Sequence, residues 1–133
     1  MSSVALPIAF TAALWWSTTG AILFLNRLPQ RTFVRSLAVA TAVLVAALLV
    51  LHDSAGTLTV SAAYYGFTAT IAVWGWLEIT FLMGFVTGPR KHACPAGCDG
   101  AAHFGHALQA IIWHELAIIA CAAAIWWYSC LPM

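Results

Sequence analysis

Three residues with chemistry to offer interrupt stretches of apolar sequence. Glu78 and Glu115 stand among Leu, Ile, Ala and Trp, and His114 immediately precedes the second carboxyl. A charge at the centre of a bilayer costs at least about 2.5 kcal/mol on insertion scales, so such side chains face the protein interior or a partner. A metal site, a proton relay and an axial ligand to a tetrapyrrole all use a carboxylate or an imidazole at that depth. The plainer alternative is an interhelical hydrogen bond, which averages only about 0.6 kcal/mol in membrane proteins. The two kinds of reading weigh about evenly. His114 and Glu115 are adjacent, so their side chains point ~100° apart on a helix and cannot both face Glu78. One is left to face a pigment or a neighbouring subunit, and Trp113 beside them offers an aromatic wall.

A second constellation is richer in soft donors. His92, Cys94, Cys98 and His103 follow one another, with His106 one turn further on. Cys and His together bind zinc or iron. His103 and His106 are three apart and share a helix face. Yet the two cysteines enclose Pro95, Ala96 and Gly97, and that spacing matches no established zinc-finger pattern. The pattern therefore favours a tight turn of small side chains, with Cys94, Cys98, His103 and His106 kept as metal candidates. Cys121 reads as a small core residue. Cys130 has no evident partner.

The elements that position these residues follow from composition. Of 133 residues, 63% are hydrophobic and 7% charged, against about 25% charged in a soluble domain. Too few polar side chains remain to coat a water-facing surface. A spanning helix needs about 20 mostly apolar residues, and residues 5–25, 34–51, 58–86 and 104–131 qualify. The predicted fold is all-α, a polytopic transmembrane four-helix bundle forming a single domain over residues 1–133.

The connections carry breakers and charge. All five basic residues lie in the first and third, at Arg27, Arg31 and Arg35 and then Arg90 and Lys91. Four crossings put these two loops on one side, and the positive-inside rule makes that side cytoplasmic and both termini periplasmic. A disulfide between Cys94 and Cys98 is then disfavoured, because cytoplasmic thiols stay reduced. On this orientation Glu78 lies about 12 Å from the cytoplasmic end of its helix and the His114–Glu115 pair about 15 Å from the same face. Antiparallel neighbours would bring them level. Tyr64, Tyr65, Trp126, Trp127 and Tyr128 read as an interfacial belt at the far boundary. Trp15, Trp16, Trp74, Trp76 and Trp113 lie deeper, and packing is favoured over lining a pigment or quinone. Gly66, Ala69, Ala72 and Gly75 recur at spacings of three and would admit a closely packed helix.

Several classes are excluded. The formal charge of +1 gives no basic groove for nucleic acid. No nucleophile triad, phosphate loop or zinc-protease motif is present. Intramembrane hydroxylases need several His clusters, and one at most is arguable. The N-terminus lacks the basic region and cleavage site of a secretory signal, so the first apolar segment is expected to stay as a membrane helix.

The block running Trp74-Gly75-Trp76-Leu77-Glu78-Ile79-Thr80-Phe81-Leu82-Met83-Gly84-Phe85-Val86-Thr87-Gly88-Pro89-Arg90-Lys91 is distinctive. It is followed by Cys94-Pro95-Ala96-Gly97-Cys98 and by Ala110-Ile111-Ile112-Trp113-His114-Glu115-Leu116-Ala117. With Leu14-Trp15-Trp16-Ser17-Thr18-Thr19-Gly20 and Leu28-Pro29-Gln30-Arg31, these resemble the PuhE-type photosynthetic-complex assembly proteins of purple bacteria, over the N-terminal part of that family's usual length. The resemblance implies an inner, intracytoplasmic-membrane protein beside photosynthetic reaction-centre and light-harvesting subunits. It also implies contact with bacteriochlorophyll or carotenoid, or support of bacteriochlorophyll supply. Glu78, His114 and Glu115 fall within the matching blocks. The expected function is an accessory or assembly subunit, more a scaffold than an enzyme. The alternative is a membrane metalloenzyme acting on a pigment or lipid precursor, with Glu78, His114 and Glu115 as iron or haem ligands. A transporter ranks last, since no inverted repeat is visible.

Overall fold

The computed structural model describes residues 2–129, with side chains from Val4 to Trp127. Cys130 and the Tyr128 side chain lie outside the described residues. The chain forms α1 (Ser2–Asn26), a short 3₁₀ turn (Gln30–Thr32), α2 (Phe33–Ala55), α3 (Val60–Leu82) and α4 (Gly100–Ser129). Among the described residues there is no strand. Pro29 precedes the 3₁₀ turn with an extended backbone, as its fixed φ favours, and the Thr32 hydroxyl donates to its carbonyl at 2.8 Å. This keeps the α1–α2 connection short.

Among the described residues, three stretches are long and apolar enough to cross a membrane: Val4–Asn26, Gln30–Ala55 and Gly100–Trp127. Helix α3 has 23 residues, about 35 Å at 1.5 Å per residue. It is not among these three, and Tyr64, Tyr65, Trp74, Trp76 and Glu78 interrupt its apolar sequence. Ala62, Ala69, Ile71, Val73, Leu77 and Ile79 of α3 make up most of the core, while Trp16, Phe24, Val34, Val39 and Ile119 on the other helices face outward. Apolar side chains turned outward on most helices suit a lipid solvent.

The chain divides into two compact units, one reaching to Ile79 and one beginning at Thr80. In the first, the small residues of α3 admit their neighbours as their spacing predicts. A methyl group on Gly75 would meet Thr18 at 3.4 Å and Ile22 at 3.7 Å, and one on Gly66 would meet Ser54 at 3.5 Å. Trp15 stacks on Trp74 with centroids 4.7 Å apart and planes 21° apart. Phe10 meets Tyr64 edge-on at 4.7 Å. Of the five deep tryptophans, Trp15 and Trp74 stack on each other and Trp76 Nε1 donates to Thr41 Oγ1 at 3.0 Å, whereas Trp16 and Trp113 face outward.

The second unit holds the last turn of α3, the long connection and α4. Helix α3 ends at Leu82, earlier than residue 86. The Phe85 N–H donates to the Thr80 carbonyl at 2.8 Å and the Gly84 N–H to that of Phe81 at 2.9 Å. With Gly84 at φ +80°, this is a Schellman motif, whose left-handed position favours glycine. Apolar Phe85 and Val86 extend the hydropathy signal past a backbone that has already turned. At the other end, α4 starts at Gly100, ahead of residue 104, and the Asp99 carbonyl accepts the first helical bond from the His103 N–H at 3.2 Å. Aspartate is a preferred residue at that position.

Candidate functional site

The connection after the Schellman turn runs back along α4. The N–H of His114 reaches the Thr87 carbonyl at 3.0 Å, and the N–H of Arg90 donates to the Gln109 carbonyl at 3.2 Å. Between them Gly88 is buried against the Gln109 and Ala110 backbone, with no room for a Cβ. A regular helix spends the N–H of residue i on the carbonyl of residue i−4, so the connection takes part in the helix ladder here. From His114 to His106 it follows α4 for about 12 Å. Irregular backbone beside a membrane helix is tolerated where its polar groups are satisfied by protein in this way.

At the outer end of this path lies the thiol cluster. Cys98 N–H donates to the Pro95 carbonyl at 3.2 Å and Gly97 has φ +77°, the geometry of a type II turn with glycine at its third position. The turn folds Cys98 back beside Cys94. Both sulfurs approach one atom of α4: His106 Nδ1 is 3.0 Å from Cys94 Sγ and 3.2 Å from Cys98 Sγ. All three donor atoms lie within 4.8 Å of one another and are half-buried. The Cys98 thiol is pushed above its ordinary value, first by its hydrogen bond with Cys94, then by desolvation and the charge of Cys94, while Arg90 pulls the other way. Arg90 itself donates to the Ala93 carbonyl at 3.1 Å. Of the metal candidates, His103 does not join this group; it and His92 are exposed. Cys121 is a free, half-buried thiol.

At the inner end lies His114, only 5% exposed. Its ring stacks on Phe81, with centroids 4.2 Å apart and planes 21° apart. Its neighbours on α4 face the other way: Trp113 is 54% exposed and Glu115 is also exposed. The ~100° separation expected of adjacent helical residues thus appears as one buried and two outward side chains. Glu78, half-buried, belongs to the first unit, and His114 and Glu115 to the second. Phe81, Thr87 and Gly88 were not candidates from sequence. Gly88-Pro89 was the available signal, and such a pair marks only a turn or loop, not the close approach seen here.

Within the first unit a cleft of about 650 Å³ opens between α1, α2 and α3. Leu14, Ile22, Val39 and Ile71 line it, with Ser36 and Arg35 also on its wall.

The fold and these outward apolar faces define a multi-pass helical membrane protein. The chain belongs to the family described as protein of unknown function (DUF3623), which matches residues 1–130. It is 32% identical over 124 residues to a Rhodobacter capsulatus protein described as an uncharacterized 30.4 kDa protein in the puhA 5′ region. That match covers 87% of this chain and 45% of the relative, so the chain spans under half of the relative's length. No solved structure matches.

Proposed function

We propose that this chain is an accessory or assembly subunit of a bacterial photosynthetic reaction centre–light-harvesting complex, held in the inner membrane and docked on a partner through the Trp113–Glu115 turn of α4. The observation that carries the reading is the exposure of Glu115 near the middle of the apolar span Gly100–Trp127. A carboxylate facing lipid at that depth costs at least about 2.5 kcal/mol, whereas a partner subunit with a basic or hydrogen-bonding side chain would offset the cost. The puhA-region relative and the PuhE-type blocks support a photosynthetic setting for that partner. Because the chain spans under half of the relative, the role proposed is that of this part. Any bacteriochlorophyll or carotenoid is met by the exposed ring of Trp113, since the imidazole of His114 is enclosed. Arg27, Arg31, Arg35, Arg90 and Lys91 face the cytoplasm on this reading.

Deletion of the gene in its host, followed by near-infrared absorption spectra of the membranes, tests the reading. Reaction-centre and light-harvesting bands should fall on deletion. The wild-type chain and Glu115→Gln should restore them and Glu115→Arg should not. Normal bands after deletion, with no photosynthetic subunit co-purifying with the chain, would overturn it.

A further inference from the structure

We propose that Cys94, Cys98 and His106 bind a thiophilic divalent ion, zinc by preference, and that this ion fastens the α3–α4 connection to the second turn of α4. The proposal is independent of any photosynthetic role. It rests first on convergence: two sulfurs from one side of a glycine turn and one ring nitrogen from a helix meet with all donor atoms within 4.8 Å of one another. In a tetrahedral zinc site with Zn–S about 2.3 Å and Zn–N about 2.0 Å, sulfur and nitrogen lie about 3.5 Å apart. The observed 3.0 Å and 3.2 Å are within about half an ångström of that separation, and Pro95, Ala96 and Gly97 between the two cysteines are exposed.

Valence points the same way. A single imidazole nitrogen has either one N–H or one lone pair, so Nδ1 cannot give a full hydrogen bond to both thiols. An ion at the centre satisfies all three donors at once. Two thiolates and a neutral imidazole are soft ligands that suit zinc, whereas magnesium and calcium prefer oxygen. Among the described residues no fourth donor joins the group, so the fourth tetrahedral position is left to water or to a donor from a partner. The cysteine spacing argues for a turn, and the turn is what makes the site: the tight loop and the ligand pair are one feature.

The test uses the full chain purified in detergent with a tag free of histidine, after expression in zinc-supplemented medium. Metal analysis should find about one zinc per chain. Cobalt(II) added to the apoprotein should give thiolate-to-metal charge transfer in the near ultraviolet and the intensified visible bands of a tetrahedral site. Cys94→Ser with Cys98→Ser, and His106→Ala, should reduce both signals to background, while His103→Ala and Cys121→Ser keep them. Circular dichroism monitors folding of each variant. Where a ligand variant does not fold, the cobalt spectrum of the Cys121→Ser, Cys130→Ser double variant decides, because Cys94 and Cys98 are then the thiols left to give charge transfer. A wild-type chain with neither zinc nor a thiolate–cobalt spectrum overturns the proposal, and so does metal retained in the double serine variant.

Discussion

The ring of Phe81 lies nearly parallel to the imidazole of His114, 4.2 Å away, so the last turn of α3 is pinned to the interior of α4 just before the chain reverses at Gly84. Stacked aromatic pairs contribute about 0.5–1.5 kcal/mol beyond the area they bury. Phe81→Leu keeps most of the apolar volume and removes the stack. It should destabilise the protein by about 1 kcal/mol in reversible denaturation in detergent micelles. A loss no greater than that of Phe104→Leu, a change at an exposed position, would show that the stack contributes nothing.

Gly88 and Gly105 make a matched pair of opposite outcome. A Cβ on Gly88 has nowhere to go, because Gln109 and Ala110 present backbone and not a side chain that could swing aside. Gly88→Ala should therefore cost at least the about 1–3 kcal/mol typical of overpacking. At Gly105, within α4, nothing stands within 4 Å of an added Cβ. Gly105→Ala should be neutral or stabilising by about 0.5–1 kcal/mol, since alanine loses less backbone entropy in a helix. Thermal unfolding of the two variants side by side checks both, and equal midpoints would contradict the close approach.

The residues that did and did not announce themselves differ for a physical reason. Hydropathy marks a helix by the solvent it will meet, so α1, α2 and α4, with apolar outer faces, were legible. Helix α3 was legible as an element, yet its Gly66, Gly75, Trp74 and Trp76 answer to protein neighbours, and its end was set by two backbone bonds at Gly84 that hydropathy cannot see. The approach of Cys94 and Cys98 to His106 combines a turn with a helix eight residues later. Spacing rules drawn from other folds undervalued it. The buried His114 beside an exposed Glu115 follows from helical geometry, but which of the two turns inward depends on Phe81 and Thr87, residues that carry no chemical signature.

Trp76 and Thr41 join α3 to α2 through the indole N–H and the threonine hydroxyl. The same hydroxyl donates to the Leu37 carbonyl at 2.8 Å, which orients its lone pairs toward the indole. A double-mutant cycle with Trp76→Phe and Thr41→Val should give a coupling of about 0.6 kcal/mol, the average for interhelical hydrogen bonds in membranes. Additive single effects in unfolding measurements would mean that the bond contributes nothing net.

The basic pair Arg90–Lys91 lies between two ties to α4, the Arg90–Gln109 backbone bond and the Cys94–Cys98–His106 cluster. A protease must draw several residues of this segment away from α4 before it can cut, so the cleavage rate reports how often the outer tie opens. With an ion holding that tie, trypsin should cut the detergent-solubilised protein slowly after Arg90 and Lys91. Chelation should raise the rate at least about tenfold, which corresponds to about 1.4 kcal/mol of lost local stability. Cys98→Ser should cleave at the fast rate without chelator, and His103→Ala should stay slow and chelator-sensitive, because His103 takes no part in the cluster. Mass spectrometry of the fragments fixes the cut sites. A rate indifferent both to chelator and to Cys98→Ser would mean that the Gly88 contact and the Arg90 backbone bond hold the connection alone.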